Sequence, residues 1–222
     1  NTSSEYMVQG AAFAEPHDPP DVTLVKSRAA QHSSYVAALS ALTPRHFEAM
    51  CAGILAELGV DSPTLTRYSA DEGIDFFGKL RLEKFITPAH MTAGLERQMN
   101  VWMIGQAKHY KANAISTFEI RDLVGAVELA RGKAFSTGEA KYPDLAIRVC
   151  DPVFYMLITT GRLSSATWRL LERSGVTGMD GQMVAAFLAQ HGIGMKAGQF
   201  DRAVLTRWLN RYLFPQPSTP AP

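Results

Sequence analysis

Cysteine is scarce in this 222-residue chain: Cys51 and Cys150, 99 positions apart and each in an apolar setting, are all of it. Two isolated thiols give no disulfide framework and no paired-cysteine metal knuckle, so buried free thiols in a reducing compartment are the expectation. Long apolar runs are also missing. None approaches the roughly 20 residues that cross a bilayer, and mean hydropathy is −0.05, so no membrane partner is expected. Charge of one sign is missing too: 22 Lys+Arg against 21 Asp+Glu leave a net charge of +1. That excludes a histone-like polycation, and a nucleic-acid partner would have to meet charge sorted onto one face. No charged-then-apolar leader opens the sequence, which points to a cytoplasmic protein. What is present is 46% hydrophobic residues with 19% charged, enough for a folded core in one domain or one domain plus an appendage.

The ends carry little periodic pattern. Residues 1–22 are rich in Ser, Ala and Pro and read as an arm or linker, residues 23–41 as a short Ala-rich helix, and PQPSTPAP as a tail that cannot pack regularly. Between them the signals sharpen. Thr43-Pro44 is an N-cap followed by proline at the first helical position, and Phe47, Cys51, Ile54, Leu55 and Leu58 recur at helical spacing up to Gly59. TLTRYS then predicts a strand, ADEG a turn, GIDFFGKL a second strand and NVWMIGQAKHY a third. Ser116 and Glu119 form a capping box for a helix bearing Ile120, Leu123, Val124 and Val127. VFYMLITTG predicts a buried strand, followed by a helix over 165–174, a short strand near 176–179 and a helix over 182–191. A last helix is expected to carry Phe200, Val204, Leu205, Trp208, Leu209 and Tyr212 on one stripe. The alternation predicts an α/β fold with a mixed central β-sheet flanked by helices. The domain expectation is an arm over 1–42, one domain over 43–192, and a C-terminal helix and tail over 193–222.

Polar residues interrupt two of the apolar strands. Asp75 stands in GIDFF, and Gln106 and Lys108 stand two apart in VWMIGQAKHY, which puts both on one strand face opposite Met103, Gly105 and Ala107. A carboxylate, an amide and an ammonium group are expensive to bury without mutual partners. By themselves they read more plainly as a structural Asp–Lys pair at the sheet edge with the glutamine hydrogen-bonded nearby, since a bare D…QxK pattern arises by chance in a chain of this length.

The blocks LTPRHFEAMCAGILAELG, SADEGIDFFG, WMIGQAKHYKANAISTFEIRDLVGAVELAR and VFYMLITTGRLSSATWRLLERSGVTGMDGQMVAAFLAQHG span roughly residues 42–192. In that order they resemble the Mrr-type restriction endonucleases, a branch of the PD-(D/E)xK nuclease superfamily in which ExK is commonly QxK. The resemblance implies a restriction-endonuclease-like fold and a Mg²⁺-dependent endonuclease, with Mn²⁺ as a substitute. It matches Asp75 to the metal-binding aspartate and Gln106 to the second acidic position through its side-chain carbonyl. It makes the Ala107 backbone carbonyl a further ligand and Lys108 the residue that orients and activates water or stabilises the phosphorane. Glu48 matches the helical glutamate that assists metal binding. These types suit the reaction: a hard cation takes carboxylate oxygens, and a lysine places compact positive charge where negative charge accumulates. Glutamine in place of glutamate predicts weaker metal affinity and less repulsion of the phosphate.

Two departures stand out. Thirty residues separate Asp75 from Gln106, longer than the family usually shows, and LRLEKFITPAHMTAGLERQM is an insertion whose plainest reading is surface elaboration. Asp71-Glu72 occupies a turn where the family often has Asp-Gly.

Other chemistries find less support. His46, His90, His109 and His191 lack metal-ligand spacing, Asp151-Pro152 reads as a strand start, and Ser164-Ser165 as a helix cap. No GxGxxG, GxxxxGKS or GxSxG occurs. Lys108, His109, Lys111, Arg121, Arg131 and Lys133, with Arg162, Arg169 and Arg173, could together hold a DNA backbone. Solvated surface is the plainer reading for most of them taken singly; it is the resemblance that makes double-stranded DNA the expected substrate, cut by a homodimer or higher oligomer in restriction or anti-phage defence. The start at Asn1 and the Pro-rich arm point to an additional domain in the parent protein. The alternative is a catalytically degenerate nuclease fold serving as a DNA-binding or assembly module. RNA cleavage would use the same residues.

Overall fold

A computed structural model of the chain describes residues 20–66, 73–80, 99–110, 114–134, 142 and 144–213. The start of the arm, the Asp71–Glu72 turn, the body of the 80–99 insertion, His90, Lys111 and the Pro-rich tail lie outside the described residues.

The chain folds in the order α1 (Pro20–Ala29), α2 (His32–Ser40), α3 (Pro44–Glu57), β1 (Val60–Leu65), β2 (Phe76–Leu80), β3 (Val101–Lys108), β4 (Ala114–Ile115) and α4 (Thr117–Arg131). It continues with β5 (Val153–Thr159), β6 (Arg162–Leu163), α5 (Ser165–Ser174), β7 (Thr177–Met179), α6 (Gly181–Gln190), β8 (Met195–Lys196), β9 (Gln199–Phe200) and α7 (Arg202–Leu213). Among the described residues the central sheet runs β1-β2-β3-β5-β7. Its first three strands are antiparallel, and β3, β5 and β7 are parallel. This is the mixed α/β sheet that the alternating pattern predicts.

Period-two alternation along β3 divides the core. Met103 and Ala107 pack with Phe47, Met50, Ile54, Val184, Leu205 and Trp208 on the face covered by α2, α3, α6 and α7. Trp102 and Ile104 pack with Ile120, Leu123, Val127 and Leu171 under α4 and α5. The sheet is thus buried on both faces, as parallel strands require. The caps hold the flanking helices where their signatures place them. Thr43 Oγ1 accepts the His46 N–H at 3.3 Å. Ser116 Oγ accepts the Phe118 N–H at 3.2 Å while Glu119 Oε2 accepts the Ser116 N–H at 3.1 Å. Among the described residues no helix is long and apolar enough to cross a membrane.

Three local expectations shift. The strand expected at TLTRYS begins earlier, at Val60, because a register shift between Asp61 and Thr64, with Ser62 at φ 47°, lets VDSPTL pair with β2. The helix expected over 23–41 is two, broken near Gln31: the Arg28 guanidinium caps α6 at the Gln190 carbonyl (2.8 Å), while α2 turns Tyr35 into the core to donate to the Ile193 carbonyl. Phe200 leaves the last helix for β9, pairing with Met195 across a turn whose central residues, Ala197 and Gly198, both have positive φ. Asp201 then caps α7, its Oδ1 accepting the Ala203 N–H at 2.8 Å.

Candidate active site

Asp75 comes from the residue just before β2, and its direction is set by a bulge. Phe76 pairs with Gly105, yet the Asp75 N–H also donates to the Gly105 carbonyl at 3.0 Å. Two residues therefore face one, which locally re-aims the chain. The Asp75 side chain turns to β3, where its Oδ2 accepts the Ala107 N–H at 2.7 Å. Thr66 holds the other side of the bulge, its N–H donating to the Asp75 carbonyl at 3.0 Å. Gly73, at φ 78°, supplies the left-handed turn into this segment; a Cβ there would meet Ala126 Cβ at 3.0 Å and Asp122 Oδ2 at 3.4 Å.

Ala107 contributes by its backbone. In an extended strand a residue's N–H and C=O point to the same side, so the Ala107 carbonyl faces the same edge as the N–H that Asp75 holds. Lys108 follows at the end of β3, and its carbonyl is pinned by the Thr159 hydroxyl at 2.8 Å and the Thr160 N–H at 3.2 Å. The site therefore lies at the carboxyl ends of the parallel strands β3 and β5, where α/β sheets generally bind ligands.

Electrostatics tie these groups together. Burial pushes the Asp75 carboxyl up to about 6 from 3.8; the Ala107 N–H opposes this, the Glu48 charge adds to it, and the Lys108 and Arg45 charges hold it down. The Cys51 thiol, fully buried on α3, is raised well above its ordinary value by burial and then by the Asp75 and Glu48 charges. Glu48 thus lies within the field of Asp75. Its Oε2 accepts from Arg45 Nη1 at 2.6 Å, and that same nitrogen donates to the Thr66 carbonyl at 2.9 Å. Replacing Glu48 with Gln removes a neighbouring negative charge and releases Arg45, and both changes favour ionised Asp75. Carboxyl-carbon NMR titration of Glu48→Gln is expected to show the Asp75 pKa falling below its wild-type value.

Gln106 is placed differently. It is buried, at 3% exposure, and lies on the α4 face of the sheet: its Nε2 donates to Asp122 Oδ2 at 3.1 Å, while Oε1 is buried with no hydrogen-bond partner. Among the described residues no three Asp, Glu, His or Cys side chains converge as a metal cluster. The oxygen donors around Asp75 are its own carboxylate, the Ala107 carbonyl and the Glu48 carboxylate, and the unpartnered Gln106 Oε1 belongs to the residue next to Ala107 on the α4 face. That all-oxygen set suits a hard divalent cation.

The structure therefore brings Asp75, Ala107, Lys108 and Glu48 into one locality and adds Arg45 and Asp122, which sequence reasoning missed. Arg45 and Glu48 at i and i+3 are legible as a helical ion pair; nothing in the local sequence marks Asp122. His109 is packed, its ring 5.8 Å from that of Phe47 and its Nδ1 3.0 Å from Thr160 Oγ1. Asp151 lies at the opposite end of β3, accepting from Trp102 Nε1 at 3.2 Å and paired with Arg148 at 2.7 Å. Arg131 is committed there too, to the Arg148, Val149 and Asp151 carbonyls. Arg121, Arg162, Arg169 and Arg173 are exposed.

A model of the restriction endonuclease family Mrr_cat matches residues 39–138, which include every residue of this locality. No curated protein matches the chain. Among solved structures, it is similar to MspJI restriction endonuclease in complex with a 27-mer oligonucleotide, at 18% identity and a TM-score of 0.51 over 90% of this chain and 40% of that one. It is also similar to the DNA modification-dependent restriction endonuclease AspBHI, at 21% identity and a TM-score of 0.47, over 92% and 41%. The chain thus spans about two-fifths of the length of the structures it matches.

Proposed function

The chain carries a restriction-endonuclease-like domain of the Mrr type, within the PD-(D/E)xK superfamily, and from that premise we propose that it is a Mg²⁺-dependent endonuclease that hydrolyses phosphodiester bonds in double-stranded DNA. The observation that carries the reading is the bulge at Asp75, which holds a partly buried carboxylate against the Ala107 N–H within the field of Lys108 and Glu48. A partly buried carboxylate within the field of a second one is costly, since each charge raises the cost of the other, and such clustered, perturbed carboxylates are concentrated at functional sites.

In this reading Asp75, the Ala107 carbonyl and Gln106 Oε1 hold the cation, with Glu48 assisting. Bound there, Mg²⁺ would polarise the scissile phosphate and lower the pKa of a coordinated water. Lys108, whose charge already acts on Asp75, would stabilise the negative charge that builds on the phosphorane, and the Thr159 and Thr160 bonds to its carbonyl hold its backbone. Arg45 bonds Glu48 and reaches Asp75 only through its charge, which differs from the direct arginine–Asp75 pair that a degenerate site would favour. Exposed Arg121, Arg162, Arg169 and Arg173 are candidates for contacts to the DNA backbone. A double-strand cut by one site per chain calls for two chains, and a C2 homodimer is the simplest arrangement.

Cleavage of methylated and unmethylated plasmid tests this. Wild type is expected to cut in Mg²⁺ and not in EDTA. Lys108→Ala is expected to lose activity by on the order of a hundredfold or more, with an unchanged melting curve. Cutting that survives in both Lys108→Ala and Asp75→Ala would put the chemistry elsewhere. A folded wild type that binds DNA without cutting it in Mg²⁺ would favour the binding-module alternative.

A further inference from the structure

Gln106 poses a problem that the proposed site does not solve by itself. A primary amide is two-ended: one end donates and the other accepts, and only the oxygen can face a cation. A half-turn about the last side-chain bond would present an NH₂ group to the metal instead. In the structure that choice is made by α4. Asp122 Oδ2 accepts from Gln106 Nε2 at 3.1 Å, and a carboxylate cannot donate in return, so the nitrogen is fixed toward α4. Oε1 is left buried and unpartnered. Such an atom is costly to bury unless something else satisfies it.

Asp122 also lies beside the segment that leads to Asp75. Gly73, two residues before Asp75, runs so close to α4 that a Cβ on it would lie 3.4 Å from the same Asp122 Oδ2 that holds the glutamine. One exposed carboxylate on α4 thus touches the side chain of Gln106 and abuts the segment that delivers Asp75.

We propose that Asp122 is a positioning residue: by accepting from Gln106 Nε2 it fixes the amide so that Oε1, and not the NH₂ group, is presented to a divalent cation. This rests on the metal-dependent reading above and deepens it. It also explains how a QxK site can work beside a helical carboxylate. A glutamate at 106 would set two like charges about 3 Å apart, whereas glutamine turns the same neighbour into an acceptor for its own donor.

The test is binding of Mn²⁺ alone to the full chain, read by the free-ion electron paramagnetic resonance signal, for wild type and for Asp75→Ala, Asp122→Ala and Asp122→Asn. Asp122 is exposed on α4, so its variants should fold, and thermal melts check that they do. Wild type is expected to bind Mn²⁺ and Asp75→Ala to lose it. Asp122→Ala should weaken binding by about tenfold, the usual size of effect for losing a partner that orients a metal ligand. Asp122→Asn keeps a carbonyl acceptor without the charge and should stay within about twofold of wild type. In the metal-free protein, the Gln106 side-chain NH₂ resonances should move in Asp122→Ala more than in Asp122→Asn. Asp122→Ala binding as tightly as wild type overturns the inference and leaves the metal reading standing. So does Asp122→Asn as weak as Asp122→Ala, since charge and not orientation would then be the cause. A wild type that binds no Mn²⁺, or an Asp75→Ala that binds like wild type, overturns the metal reading and the inference with it.

Discussion

Asp75→Asn should lose DNA cleavage by on the order of a thousandfold while making the metal-free protein more heat-resistant above pH 6. Both halves come from the same environment. The folded protein raises the Asp75 carboxyl from 3.8 to about 6, with burial the largest cause. A raised acid pKa means that the folded state binds the proton more tightly than the unfolded chain does. Below about pH 4 the group is protonated in both states and contributes no pH-dependent penalty. As pH climbs from 4 to 6 the unfolded chain ionises first, and folding loses free energy. Above 6 the loss is complete, at roughly 3 kcal/mol. Asparagine carries no charge to bury, yet its carbonyl can still accept the Ala107 N–H that Oδ2 accepts at 2.7 Å. For a chain of this size the melting temperature should therefore rise by roughly 5–10 °C at pH 8 in EDTA, and the gain should disappear near pH 4. The measurement is a pair of melting curves across that pH range beside a cleavage assay in Mg²⁺. A variant that is less stable at pH 8, or equally stable at all pH values, would show that Asp75 is a structural ion-pair partner and not a strained functional carboxylate.

The same residue shows where sequence reasoning stops. Period-two alternation in VWMIGQAK does assign Gln106 and Lys108 to the strand face opposite Met103 and Ala107, and the core divides that way. Thr43-Pro44 and Ser116–Glu119 are local signals, each satisfied within three or four residues, and both caps form. The bulge at Asp75 is a relation between two strands separated by thirty positions, so GIDFF shows only that a carboxylate interrupts an apolar run. The Asp122 contact crosses from a strand to a helix in the same way, and a lone Asp on an exposed helical position looks like any solvated residue. Phe200 fails for the opposite reason. Its spacing to Val204, Leu205 and Trp208 fits a helix, but the positive φ angles of Ala197 and Gly198 close a hairpin first. Neither an Asn-Gly nor an Asp-Gly pair announces that turn.

The glycine ahead of the QAK block carries the other large effect: Gly105→Ala should destabilise the fold by about 3 kcal/mol or more, at the upper end of overpacking penalties. Gly105 lies in β3 between β2 and β5, paired with Phe76 on one side and Met156 on the other. A Cβ there would stand 2.2 Å from Phe76 Cζ and 2.7 Å from the Met156 carbonyl oxygen. The first clash is with the rim of a fully buried ring that cannot swing into solvent, and the second is with backbone in the sheet's centre. Relief would require β3 to move away from β5 or Phe76 to leave its pocket, and Phe76 is the residue against which Asp75 is bulged. Urea unfolding should show a lower midpoint with an unchanged slope. Phe76→Leu in the Gly105→Ala background should recover part of the loss, because it removes the ring but leaves the carbonyl contact. Full recovery would mean that the ring alone had excluded the methyl group. If Gly105→Ala were neutral in stability but defective in cleavage, the close approach of the three strands would matter only for aiming Asp75 at Ala107.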